Sequence, residues 1–408
     1  MHILTGVNMM TKELVLVHAE EDKLVTFPLE SLDGWQPASL QHSWIAADEE
    51  TVYIATDAIP PFNGSIAVLH LNGIDWDGGT ADVELRQIVP LDVAGTPSDM
   101  PNLKQTSPKQ PIMPWTRPLY TQTHGPTFLP RSKFTYITHY TDDRVRGFRI
   151  KPDGTLEQRV LHTDRKLTRQ THGVNFNPRG TVGLGVGYDY DIGEVRVYRP
   201  DRHTGKVEAT HAIPLGTELE YGAFAHYATW IDNRYAYIGA MQVGSTSRTP
   251  QGATVVGQSV WLVDTELDTA ECVIGPTRTP GGAGMYRSPS DLTVAKGKLY
   301  VAEEDSWGPQ FDSPFNYGRD GYISIWDIQD PVKPSFLKRL RPGRELPSDF
   351  RNAHTATAMV DEESVFISSF VSDHLIRIDT NTDKVAKVYD CDDGLMMFHG
   401  EFAAGRNR

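Results

Sequence analysis

Residues 122–131 (QTHGPTFLPR) return 48 residues later as residues 170–179 (QTHGVNFNPR). The likeness runs on from Thr135-Tyr136-Ile137 to Gly183-Leu184-Gly185, and then from residues 145–150 to residues 194–198. Self-similarity at such a period marks an array of supersecondary units, each too small to bury its apolar face alone. Each unit reads as four short alternating strands, here A to D, which is the signature of a propeller blade.

The same unit can be followed along most of the chain. A second strand carries an aromatic residue or leucine at its centre, at Tyr53, Tyr136, Leu184, Tyr237, Tyr300 and Phe366. A third strand follows as SIAVLHL, RVRGFRI, EVRVYRP, SVWLVDT, YISIWDI and HLIRIDT. Those are six blades. A seventh is assembled from both ends of the chain. Residues 11–18 and 22–28 are expected as its strands B and C, residues 36–40 as strand D, and residues 399–405 as strand A. The expectation is therefore an all-β chain, one seven-bladed β-propeller domain over residues 1–408, its ring closed by N- and C-terminal strands in one blade. With 35 Gly, 27 Pro and 16 Tyr, the composition suits many short strands and tight turns better than helices.

Counting back 11 or 12 residues from the strand B centres gives His42, His124, His172, His226 and His354. In the fifth blade the count falls on Ser288 or Pro289, and in the seventh His399 opens a His-Gly pair like His124-Gly125. A single buried histidine is ordinarily a core residue bonded to a carbonyl. Six at equivalent places differ, because blades are related by rotation and equivalent side chains converge on the axis. Convergent imidazoles suit a divalent transition metal (Fe, Cu, Mn or Zn), so His42, His124, His172, His226, His354 and His399 are candidate ligands.

Three connections are long: residues 94–123, 241–258 and 304–322. All belong to the end of the ring where the histidines lie, and long loops gathered on one face commonly build a binding site. The blade without a histidine ends its second strand in Glu303-Glu304-Asp305. Glu303, as the leading proton-transfer group, and Glu304 are candidate catalytic residues, with Arg287 among the loop residues shaping a pocket.

A formal charge of -14 argues against nucleic acid as a partner, since backbone binding needs clustered Lys and Arg. No apolar stretch is long enough for a membrane helix, and the first ten residues carry no basic start with an apolar run, so a cytoplasmic location is expected. Cys272 and Cys391 form no metal-spaced pair. The motifs GxSxG, HExxH and the P-loop are absent, and the glycines of residues 182–187 lie inside a strand, not before a helix.

The blade text His-Gly-x-x-Phe-x-Pro, followed by residues 195–205 (VRVYRPDRHTG), resembles the seven-bladed lactonase family that includes 6-phosphogluconolactonase and the carboxymuconate cyclases. The resemblance covers mainly residues 120–215 and 350–405, and it implies a propeller enzyme that opens or forms a lactone. The histidine ring is a departure from that family. In geometry it is closer to propellers whose axial histidines hold iron, manganese or copper. The leading expectation is a metal-dependent enzyme acting on a small organic substrate, of lactonase or cycloisomerase type. An Fe- or Cu-dependent oxidoreductase, a lyase and a non-catalytic binding propeller are the alternatives.

Overall fold

A computed structural model describes residues 3–8, 11–35, 40–56, 64–91, 123–139, 144–157, 171–187, 193–217, 220–222, 225–241, 254–255, 258–275, 288–304, 320–369, 372–390 and 396–397. Its strands form seven antiparallel sheets arranged as the blades of a propeller. Blade one comprises Leu40–Ile45, Thr51–Thr56, Ser65–Asp75 and Thr80–Pro90 as strands A to D. Blade three starts at Thr171–Phe176, blade four at Ala225–Trp230, blade five at Ser288–Ala295 and blade six at Ala353–Ala358, each with four strands. Blade two has three described strands, from Thr123–Phe128 to Arg144–Arg149.

Blade seven joins the two ends of the chain, as expected, but its strands are displaced by one from the sequence reading. Residues 13–18 and 23–28 are strands C and D, and strand B is Ile3–Asn8, which pairs with Glu13–His18 through its whole length. That strand was missed because all six of its residues are buried, leaving no two-residue alternation to read. The inner strand is described at Met396–Met397, opposite Val7 and Asn8. Residues 36–39 and 399–405, assigned above to strands D and A, lie outside the described residues, and Leu40 already belongs to blade one.

The apolar core is divided among seven clusters, one at each junction of neighbouring blades. Strand alternation produces this division. In blade seven, for example, Ile3 and Val7 pack toward blade one while Leu4 packs toward Met359 and Phe366 of blade six. The tyrosines at the strand B centres are buried in these junctions. Each hydroxyl donates to the C–D turn of the following blade, which satisfies it without exposing the ring. Tyr53 reaches the Gly154 carbonyl at 2.9 Å and Tyr237 the Pro331 carbonyl at 2.8 Å.

Candidate functional site

Strand A enters each blade at one end of the axis, and there the A–B pairing is broken in each of blades one to six. In blade six, Ala353 pairs with Ser369 and Thr355 with Ser368, so His354 is the extra residue of a bulge. In blade three, Thr171 pairs with Gly187 and Gly173 with Val186, so His172 takes the same place. A bulge turns a side chain out of the regular pleat and so aims it where neither sheet face points. Counted three residues back from the residue facing the strand B centre, the equivalent place falls on His124, His226 and Ser290 in blades two, four and five and on Gln41 in blade one. His124 itself pairs with Thr138, and the break in blade two follows it.

The register thus refines the histidine count at two points. In blade five the position is Ser290 rather than Ser288 or Pro289, which pair with Glu304 and Glu303. In blade one His42 pairs with Ala55 and stands where Thr355 stands in blade six, one residue beyond the bulge. Both slips come from counting through an irregular stretch. A better marker was available three residues downstream, where the residue facing the strand B centre is Thr127, Asn175, Thr229, Thr293 or Thr357. The texts His-x-x-Thr at 124, 226 and 354 and Ser-x-x-Thr at 290 then align without adjustment.

The structure brings together His172, His226, Ser290, His354 and Glu304, all less than a tenth exposed. The rings of His172 and His226 lie with centroids 4.2 Å apart at 35°. Those of His226 and His354 are 5.6 Å apart at 66°, although they come from blades four and six. Ser290 lies between the two. Its carbonyl is 2.5 Å from His226 Nδ1, and its hydroxyl is 3.0 Å from His354 Nδ1. The same Nδ1 is 2.7 Å from Glu304 Oε2. Beside Ser290, the buried Asp291 accepts the backbone N–H of Ala356 at 3.0 Å, fixing strand A of blade five against that of blade six.

Tautomers follow from these partners. A carbonyl only accepts, so His226 Nδ1 carries the proton and Nε2 is the lone-pair nitrogen. Burial, reinforced by the neighbouring His354, pushes the His226 pKa down to about 3, so this ring is neutral at ordinary pH. Glu304 Oε2, as a carboxylate oxygen, likewise accepts a hydrogen bond from the Nδ1–H of His354, leaving Nε2 as its lone-pair nitrogen.

Glu303 is placed differently. Adjacent strand residues point to opposite faces, so Glu303 and Glu304 diverge. Glu303 is fully buried and accepts from Arg339 Nε and Nη2 of the outermost strand, both at 3.1 Å. His399 and Arg287 lie outside the described residues, as do most of the three long connections. His124 is placed by its backbone only. On the same end of the ring, Glu220–Tyr221 pairs in parallel with Thr254–Val255. No described helix is long and apolar enough to cross a membrane.

No protein-family model and no curated protein matches the chain. Among solved structures it is similar to a functionally unknown protein from Desulfotomaculum acetoxidans, at 12% identity and TM-score 0.61 over 99% of both chains. It is similar to the periplasmic gluconolactonase of Pseudomonas aeruginosa at 11% identity and TM-score 0.58, over 98% of this chain and 97% of that one. Hydrazine synthase of Kuenenia stuttgartiensis matches at 13% identity and TM-score 0.52, over 89% and 91%. At such identities it is the fold that is shared. The chain is a seven-bladed β-propeller, and its fold is the one seen in lactonase-like propellers.

Proposed function

We propose that the protein is an enzyme acting on a small organic substrate at the axial cluster of blades three to six, with the opening or closing of a lactone as its reaction. The observation that carries this reading is the pair of oriented imidazoles, His226 and His354, each with Nδ1 committed to an oxygen. A histidine whose Nδ1–H is held by a carboxylate has its tautomer and ring orientation fixed, with the lone pair at Nε2. His354, backed by Glu304, is suited to take a proton from a water attacking a lactone carbonyl. The fold shared with a gluconolactonase supports a lactone as the substrate class.

Neutral imidazoles of fixed tautomer are also the donors that divalent transition metals take, so the residues fit such an ion chemically. In that alternative His226 and His354 would hold it through Nε2, with His172 and His124 next along the ring, and His354, its lone pair engaged, would be a ligand rather than the base. Among the described residues, no three His, Cys, Asp or Glu donors are arranged around one point. The metal, Fe, Cu, Mn or Zn, accordingly enters as part of the proposal. Bound there, it would polarise a carbonyl oxygen or lower the pKa of a water.

Protein purified without chelator or nickel resin should release acid from sugar γ- or δ-lactones, followed at constant pH, and His354→Ala should lower turnover by about 10²-fold or more. Metal analysis of the same preparations decides the cofactor. Lack of turnover on a broad lactone panel, or undiminished turnover in both His226→Ala and His354→Ala, would overturn the reading.

A further inference from the structure

Blade five is the one described blade that contributes a short side chain, Ser290, to the bulge position next to two histidine blades. Its shortness has a geometric consequence. The rings of His226 and His354, held by strands two blades apart, approach to 5.6 Å. An imidazole at position 290 would occupy the space between them. Blade five also supplies the oxygen nearest each Nδ1 atom, the Ser290 carbonyl at 2.5 Å and the Glu304 carboxylate at 2.7 Å.

We infer that Ser290 and Glu304 are positioning residues that turn His226 and His354 into one two-imidazole unit, both rings in the Nδ1–H tautomer. The inference rests on the proposed function only in treating these two histidines as the working side chains. Free histidine prefers to carry its proton on Nε2, so two neighbouring rings held the other way require an acceptor at each Nδ1. A backbone carbonyl is an acceptor that no substitution at position 290 removes. Glu304, in contrast, is replaceable. The hydroxyl of Ser290, 3.0 Å from the same Nδ1 of His354, shares that proton as a second, weaker acceptor.

The test is nitrogen NMR of the full-length protein labelled at histidine, without substrate or added metal, with His226→Gln and His354→Gln assigning the two rings. The wild type should show the Nδ1–H pattern for both, and cross-relaxation between their ring protons. Glu304→Gln, whose amide oxygen still accepts, should keep the His354 pattern. Glu304→Ala should lose it while leaving His226 unchanged. Ser290→Ala should keep both patterns and the cross-relaxation, whereas Ser290→His should abolish the cross-relaxation. An Nε2–H pattern for either ring in the wild type, or an unchanged His354 in Glu304→Ala, would overturn the inference. Failure of lactone turnover leaves these spectra untouched, so the two readings can fail separately.

Discussion

The hydroxyl of Tyr136, at the centre of blade two, donates to the carbonyl of Gly205 in the C–D turn of blade three, at 2.7 Å. The same tie recurs from Tyr53 to Gly154, from Tyr237 to Pro331 and from Tyr300 to Asp383, always from one blade to the outer turn of the next. Where blade three carries Leu184 instead, the junction is made by other groups. Asn175 Nδ2 donates to the Ala228 carbonyl at 2.7 Å and Asn177 Nδ2 to the Asn233 carbonyl at 3.0 Å. Each of these five junctions therefore has a directional polar tie added to a non-directional apolar cluster. The ties fix the rotation between blades, on which convergence of strand A depends.

Removing one tie should weaken one junction only. Tyr136→Phe and Tyr237→Phe are each expected to cost about 1 kcal/mol, with more if the turn carbonyl finds no water. Because the two junctions share no residues, the double variant should lose the sum within about 0.5 kcal/mol. Urea unfolding of the four proteins checks both points.

Ring closure has its own tie. Asp22, in the outer turn of blade seven, accepts from Arg377 Nη2 and from the Tyr389 hydroxyl of blade six, each at 2.7 Å. These bonds join residues at opposite ends of the sequence, so Asp22→Ala loosens the junction on which the closed ring depends. A loss of about 1–2 kcal/mol is expected, discounted for partial exposure of the pair. Differential scanning calorimetry should show a lower melting temperature. Limited proteolysis should cut first within the N-terminal strands of blade seven.

Much of this architecture was legible in residues with regular neighbours. Strands B and C alternate between two blade junctions, so Tyr53, Tyr136 and Tyr300 and the strings after them marked six blades correctly. The reading failed where periodicity stops. Ile3–Asn8 is buried on both faces and gave no alternation. At the bulges the count slipped by one or two, taking His42 for the place of Gln41 and Ser288 or Pro289 for that of Ser290. Glu303 and Glu304 are indistinguishable as neighbours in sequence. Only the face each one takes separates an arginine-bound carboxylate from one bound to a histidine.

Stability toward acid should depend on a turn in blade four. The Arg234 guanidinium, hydrogen-bonded to Asp264, holds the Asp264 carboxyl below the usual range against the opposing effect of burial, helped by the N–H groups of Glu266 and Leu267. A folded pKa below the unfolded one gives stability that is present above the unfolded value and lost as pH falls through the folded value. Asp264→Asn should therefore melt lower than the wild type near neutrality. The gap should narrow as pH is taken below about 4, the ordinary range of an aspartate. A gap that is constant with pH would assign the effect to turn geometry alone.

The two adjacent glutamates of blade five should part company under mutation. Glu303 lies fully buried against Arg339, itself 7% exposed, so removing its charge takes the paired carboxylate away from a buried guanidinium. Breaking one side of such a pair costs about 3–5 kcal/mol, and the isosteric Glu303→Gln, which keeps one acceptor oxygen, should cost less, about 1–3 kcal/mol. Glu303 packs on the face with Leu299 and Val301 toward blade four, while Glu304 shares its face with Tyr300 and Ala302 toward blade six. Folded Glu303→Gln is thus expected to turn over substrate within about threefold of the wild type, well short of the 10²–10⁴-fold loss of a proton-transfer group. Glu304→Ala should show the opposite balance, with turnover falling by about 10²-fold or more and a smaller loss of stability. Turnover per folded molecule, normalised by near-ultraviolet circular dichroism, separates the two. A Glu303→Gln protein that folds normally and is inactive would return the proton-transfer role to Glu303.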